Sequence, residues 1–171
     1  MSIFKKLFGA LLPAKIEDEY FGVLEYNEFS YAGMDTIKFY RGEVFFKPVN
    51  ERIGITFSAD KSGPQPYQKE LFKQVEEKYA ALANAAKTAL ANDANKEYLA
   101  EKKADTIDVV NDYKLVSIGI NKKEGDVFSW DFQYVQKQNE DIEITVYFTN
   151  FEVNDVEIDN FALEDDEGDE E

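Results

Sequence analysis

Two parts of the chain, residues 20–59 and 113–161, alternate apolar and polar positions with a period of two. In the first part the apolar positions include Ile37, Phe39, Val44, Phe46, Ile53, Ile55 and Phe57. In the second part they include Phe128, Trp130, Phe132, Tyr134, Ile142, Ile144, Val146 and Phe148. Such alternation is typical of antiparallel strands with one face in the core and one in water. Both parts are therefore predicted to form strands.

Between these parts, apolar residues recur every three or four positions and predict a long helix. The helix is expected to begin at Pro66, whose missing N–H costs nothing in a first turn, and to end near Asn92. Its apolar stripe consists of Phe72, Val75, Tyr79, Leu82, Ala86 and Leu90. Asp93 is suited to cap a second, shorter helix that reaches about Lys103.

This order of elements predicts an α+β fold. We expect an antiparallel β-sheet whose strands come in two blocks, with one long and one shorter helix inserted between them and packed on one sheet face. The expected organisation is an amphipathic N-terminal segment at 1–16, a single α+β domain at 17–163 and a disordered acidic tail at 164–171.

The segment at 1–16 is a candidate contact for a membrane surface or a partner. Its apolar residues fall at helical spacing, with the first two lysines off that face, and Gly9 and Pro13 interrupt a run too short to span a bilayer. The candidate contact residues are Phe4, Lys5, Lys6, Leu7 and Phe8. The alternative is a terminal helix that packs on its own domain or is loosely held.

The chain contains no histidine and no cysteine, which removes most catalytic chemistry. Ser-His-Asp and Cys-His nucleophiles, histidine bases, zinc sites built on these residues and disulfides are all excluded. The absence of cysteine fits a reducing, cytoplasmic location. Paired carboxylates remain available, so a glycosidase-type hydrolase is an alternative function. Its candidate acids are Asp131, Glu140, Asp141 and Glu143.

The net charge of −16 is concentrated at the C-terminal end of the chain. Residues 151–171 contain eleven of the 35 acids and no base, which leaves −5 for residues 1–150. A basic protein is the expected partner, and nucleic acid is not, because binding phosphates requires bases. The candidate binding acids are Glu164, Asp165, Asp166, Glu167 and Asp169, preceded by Asp155, Glu157 and Asp159. The alternative is a tail that only keeps the protein soluble.

Neither a metal site nor a cofactor is predicted, since the acids lack the spacing of a calcium loop and no phosphate-binding loop is present. Aromatic residues on the strands are the remaining candidates for a binding surface, because exposed Tyr and Trp often anchor interfaces. Those proposed for contact are Tyr40, Trp130, Tyr134 and Tyr147, together with Asp131 beside the tryptophan. The alternative for each aromatic is a place in the core under the helix.

Several short motifs resemble bacterial domain families of unknown function. The first is Tyr20-Phe21-Gly22-Val23-Leu24, which matches a starting Phe-Gly-x-Leu strand, and the last is Trp130-Asp131 on a late strand. The resemblance covers roughly residues 18–150. Relatives often continue the Trp-Asp pair with acidic residues, His and Gly, whereas this chain continues with Phe132. Some similar small acidic proteins are antitoxins or immunity proteins, so the resemblance implies a non-enzymatic interaction protein.

Overall fold

The computed structural model describes residues 14–92 except 31, 32 and 34, and residues 111–161 except 139. The described strands are β1 (Lys15–Asp18), β2 (Gly22–Phe29), β3 (Ile37–Phe46), β4 (Glu51–Ser58), β5 (Tyr113–Ile120), β6 (Ser129–Gln136), β7 (Ile142–Thr149) and β8 (Glu152–Asn160). One helix, α1 (Pro66–Leu90), follows β4, and a short 3₁₀ turn (Lys47–Val49) joins β3 to β4. The fold is α+β.

All eight strands form one sheet in sequence order, β1 to β8. Every neighbouring pair is antiparallel except β4 and β5, which are parallel from Gly54 opposite Ser117 to Phe57 opposite Ile120. The expectation of a wholly antiparallel sheet is therefore wrong at the centre. The cause is the crossover through α1, which returns the chain to the starting end of β4, as parallel neighbours require.

The boundaries expected from the sequence need one correction. Lys15 and Ile16 belong to strand β1, where they pair with Glu25 and Leu24, and not to a separate N-terminal segment. Residues 1–13, the expected shorter helix at 93–103 and the acidic tail at 164–171 lie outside the described residues. The two blocks of strands join in a single sheet.

Helix α1 packs on one face of the sheet through a cluster of aromatic rings. The Phe72 ring lies 5.3 Å from that of Phe21 and 5.7 Å from that of Phe46, centroid to centroid. Tyr79, about two turns further along, contacts Phe46 and Phe132 at 5.3 and 5.7 Å. These edge-to-face contacts add to the free energy of apolar burial.

The sheet curves around this helix. Lys69 of α1 pairs with Asp18 of β1 at 2.7 Å, and the Lys78 ammonium lies 3.6 Å from the Phe151 ring beside β8. These two lysines are only about 14 Å apart along the helix. A flat sheet of eight strands would be roughly 33 Å wide, so contacts from one short stretch of helix to both edges are in keeping with a twisted sheet that curves toward α1. We call the face opposite α1 the outer face.

Gln68 joins the first turn of α1 to both central strands. Its side chain is fully buried, and its Nε2 donates to the carbonyl oxygens of Ser58, Ile120 and Asn121 at 3.2, 3.3 and 3.4 Å. Its Oε1 accepts a hydrogen bond from the Gln65 N–H at 2.8 Å. One amide therefore satisfies backbone groups at the helix start and at the ends of β4 and β5.

Replacing Gln68 by leucine is expected to destabilise the protein by about 1–3 kcal/mol, because it removes the amide from the buried Ile120 carbonyl and from the partly buried Ser58 carbonyl and Gln65 N–H, whereas the Asn121 carbonyl keeps the Tyr67 hydroxyl. Gln74→Leu is the matched control, since the Gln74 amide contacts only the Glu70 carboxylate on the same helix, at 3.3 Å. The control should change the free energy of unfolding by less than about 0.5 kcal/mol. Urea unfolding measures both, and equal losses in the two variants would contradict this role.

Candidate functional site

The outer face of β6, β7 and β8 carries a concentration of carboxylates. Across β7 and β8, Glu143 lies opposite Asp159, Thr145 opposite Glu157, and Tyr147 opposite Asp155. These residues alternate with the buried row that faces α1, so their side chains share the outer face. We call the following set the acidic face: Asp131, Glu143, Tyr147, Glu152, Asp155, Glu157 and Asp159.

The acids of the acidic face have no basic partner among the described residues. Between Ser129 and Asn160 the sequence has eight acids and a single base, Lys137. No ion pair within the described part of the chain involves Glu143 of β7 or any of the acids of β8, Glu152 included. Glu143 and Asp159 are direct cross-strand neighbours, an arrangement that destabilises a sheet when both are charged.

The other half of the outer face is different, because most of its acids, Glu17 of β1 apart, are paired with bases. Glu25 contacts both Lys15 and Arg41, at 2.6 and 3.6 Å, and Arg52 contacts Glu43 at 3.5 Å. Each pair is exposed and contributes little to stability. Their effect is on the electrostatic field, since they offset much of the negative charge on the outer face of β1 to β4, whereas the acids over β6 to β8 are not offset.

Asp131 lies at the inner border of the acidic face and is unusually buried. It sits opposite Gly119 of β5 and Tyr147 of β7, with 7% of its surface exposed. A Cβ at position 119 would collide with the Asp131 carboxyl group, so the glycine provides the space that the carboxylate occupies. Its Oδ1 is buried and has no hydrogen-bond partner.

The surroundings of Asp131 raise the pKa of its carboxyl group to about 6. Burial is the largest cause, and the negative charge of Glu143 adds to it. Hydrogen bonds from the Gly119 N–H and the Gln133 side chain lower the pKa, but by less. At neutral pH the site therefore holds a charged carboxylate that these hydrogen bonds compensate only in part, since Oδ1 has no donor among the described residues.

The same excess of negative charge contributes to raised pKa values of neighbouring groups. The Tyr147 hydroxyl donates to Glu157 Oε2 at 2.7 Å, and this bond, followed by burial and the charges of Glu157, Asp131 and Asp155, raises the pKa of Tyr147. Burial, and then the charge of Asp159, raises the pKa of Glu143. Asp131, Glu143 and Tyr147 thus each experience the negative charge of neighbouring acids on the same face.

The structure divides the aromatic candidates into two groups. Tyr40, Trp130 and Tyr134 are almost completely buried, so the expectation that they contact a partner from the surface is wrong. Trp130 stacks on Phe148 at 4.1 Å, and its indole N–H donates to the Asn150 carbonyl. Only Tyr147, half-buried on the acidic face, remains a contact candidate.

The other candidates fall in different places. Glu140 and Asp141 lie in the turn between β6 and β7, whereas Asp131 and Glu143 share the acidic face. The tail acids Glu164, Asp165, Asp166, Glu167 and Asp169, and the contact residues Phe4, Lys5, Lys6, Leu7 and Phe8, lie outside the described residues. Asp155, Glu157 and Asp159, which the charge pattern grouped with the tail, are part of strand β8. Their alternation with Val156 and Ile158 was the signal for this placement.

Two searches of the described residues for other kinds of site found nothing. In the ranges that the structure covers, no three or more acidic, histidine or cysteine side chains gather closely enough to hold a metal ion. Within the same ranges, no helix has the length and apolar character needed to cross a membrane.

Comparison with known proteins adds no relative. No protein-family model, no curated protein and no solved structure matches this chain. The function must therefore be argued from the site itself.

The raised pKa of Asp131 predicts that its ionisation destabilises the fold. The folded-state pKa of about 6 lies above the ordinary value of 3.8, so the folded state retains a proton that the unfolded chain has released between these pH values. Stability is therefore lost as the pH rises through this window and is not regained above it. Asp131→Asn removes the effect and should gain about 1–2 kcal/mol on the wild type between pH 5 and pH 7.5.

The measurement is urea unfolding of wild type and Asp131→Asn across this pH range, which lies above the isoelectric point of about 4.4. Glu140→Gln is the control, because Glu140 is an exposed acid in the following turn. A difference between wild type and Asp131→Asn that does not change with pH would show that Asp131 titrates normally.

Proposed function

We propose that this chain is a non-enzymatic binding protein that captures a basic protein on its acidic face. The observation that carries the proposal is the row of carboxylates on β7 and β8 that have no basic partner among the described residues, although the paired acids of β1 to β4 show that the chain can neutralise its own charges. A surface that keeps like charges adjacent, at a cost in stability, is suited to a partner of opposite charge.

The chemistry of the acidic face favours a protein over the other polyions. A nucleic acid would be repelled by the carboxylates, because its binding depends on neutralising phosphates. Lysine and arginine side chains are long enough to reach successive carboxylates across strands that lie about 4.8 Å apart. Tyr147, in the middle of the face, offers an aromatic surface to the same cations.

The acidic tail fits this function because it would speed the first approach of the basic partner. Residues 164–171 carry seven acids and no base, and they follow directly on the strand that contributes most of the acidic face. A concentration of like charge speeds the approach of an oppositely charged partner more than it prolongs the complex. The immunity or antitoxin role that the family resemblance implies would be one setting for such capture, with a basic toxin as the partner.

Reversing charge on β8 should weaken binding to a defined basic probe. We expect Asp155→Lys/Glu157→Lys to lower the affinity for a fluorescent octa-arginine peptide about tenfold at low salt, because two attractive contacts become repulsive. The matched control is Glu19→Lys/Glu77→Lys, which makes the same change in net charge at exposed positions away from the acidic face. Fluorescence anisotropy gives both dissociation constants. Equal losses in the two variants would show that only net charge matters and would contradict the proposal.

Removing the tail tests the step of encounter separately. A chain ending at Leu163 should bind the same peptide with a slower association rate and a weaker dependence on salt, while the dissociation rate changes little. Stopped-flow measurements between about 20 and 150 mM salt cover the range over which screening becomes strong. If truncation leaves the salt dependence unchanged, the tail does not steer the partner.

A further inference from the structure

One atom of the acidic face points to a specific ligand group. Asp131 is more than nine-tenths buried, and its Oδ1 has no hydrogen-bond partner in the part of the chain that the structure describes. An ionised oxygen in this state costs free energy unless a donor or a cation compensates it. Metal coordination is not indicated, because no metal-ligating cluster occurs in the described ranges. The group that would satisfy Oδ1 is a cationic hydrogen-bond donor from a partner.

We infer that Asp131 accepts the guanidinium group of one arginine of the basic partner, which makes it the anchor of the acidic face. The inference rests on the proposed function, and it adds the residue type that is recognised and the place where that residue docks. The exposed acids of β8 would attract the partner, whereas Asp131 would select an arginine among its basic residues.

The position of Asp131 favours arginine over lysine. A guanidinium group is more weakly hydrated than an ammonium group, so it loses less when it leaves water for a buried site. It also stacks on aromatic rings, and Tyr147 lies directly across the strand pair from Asp131. Gln133 and Tyr147 beside the carboxylate are only partly buried, so their side chains can move to admit the arginine.

Gly119 is the positioning residue of this site. It lies opposite Asp131, and the absence of a side chain lets the carboxyl group settle across β5 and not extend into solvent. An alanine there would push the carboxyl group outward without removing its charge. Gly119→Ala therefore changes the depth of the site while the net charge stays the same.

The state of ionisation at neutral pH agrees with the inference. With a pKa of about 6, Asp131 is charged at pH 7 although burial opposes it, and a bound arginine would lower that pKa. The charged and titratable groups that face the site are Glu143 and Tyr147 of β7, and Asp155, Glu157 and Asp159 of β8. The acids among them also favour a cation.

The test compares octa-arginine and octa-lysine peptides as probes of the full chain at pH 7.5. Wild type should bind octa-arginine several-fold more tightly than octa-lysine. Asp131→Asn should weaken octa-arginine about tenfold or more, as expected for a lost hydrogen bond between charged groups, and should abolish the preference for arginine. Glu140→Gln, which removes one exposed acid outside the acidic face, should change either affinity less than about twofold.

Two further measurements separate docking from a structural effect. The ¹³C resonance of the Asp131 carboxyl group should shift when octa-arginine is added, and its pKa should fall. Gly119→Ala should reduce the arginine preference while it leaves the affinity for octa-lysine nearly unchanged. If the chemical shift of the Asp131 carboxyl resonance does not change when octa-arginine is added, the inference is overturned.

The outcomes also separate this inference from the proposed function. If Asp131→Asn binds both peptides as Glu140→Gln does, or if wild type does not prefer arginine, Asp131 is not an arginine anchor, and the proposed function stands as long as charge reversal on β8 weakens binding. If neither Asp131→Asn nor Asp155→Lys/Glu157→Lys alters binding, both ideas fail together.

Discussion

The architecture depends on the amide of Gln68, which lies where the chain passes from β4 into α1 and where β5 ends. Strand β4 ends at Ser58, helix α1 begins at Pro66, and β5 must return parallel to β4. Backbone groups at the ends of two adjacent parallel strands and at a helix start would be buried there without ladder partners. One fully buried side chain bonds to groups on all three segments and so ties the helix start to the ends of both strands.

Because of that constraint, one face of the sheet is covered by the helix and the other is not. Once α1 covers one face and both sheet edges bend toward it, the aromatic residues that alternate inward have no access to a partner, however suitable their chemistry. Trp130 and Tyr134 illustrate this, since both lie in the core between strand and helix. The outer face remains accessible, and the outward-facing residues of β6, β7 and β8 include six acids.

Sequence patterns predict the elements of this fold well and their arrangement less well. Period-two alternation locates strands from β3 to β8, and Pro66 with its apolar stripe locates α1, because local chemistry determines each of them. Alternation carries no information on whether neighbours run parallel, so the β4–β5 pairing was missed. Strand β1 was missed because four residues are too few to show a period.

The candidate site was predictable only in part, for a related reason. The composition shows an excess of acids near the C-terminus. It does not show which of these acids belong to β8 and which to the tail, because that depends on the register between β8 and β7. The burial of Asp131 depends on Gly119, which is distant in sequence and contributes by lacking a side chain. The Trp130-Asp131 pair drew attention to the tryptophan as a contact residue, whereas alternation places these neighbours on opposite faces, with the aspartate on the outer one.

A comparison with polar groups elsewhere in the molecule explains why Asp131 is informative. Gln68 is equally inaccessible, yet its amide reaches partners on three backbone segments, so its burial serves the fold. Asp131 has an oxygen without a partner and a pKa displaced toward neutral pH, so its burial opposes the fold whenever it is charged. Asparagine or threonine would fill a similar space on the strand without that cost. A local choice that weakens the fold is expected at a functional position, and under the proposed function the acids that surround Asp131 favour a cationic partner.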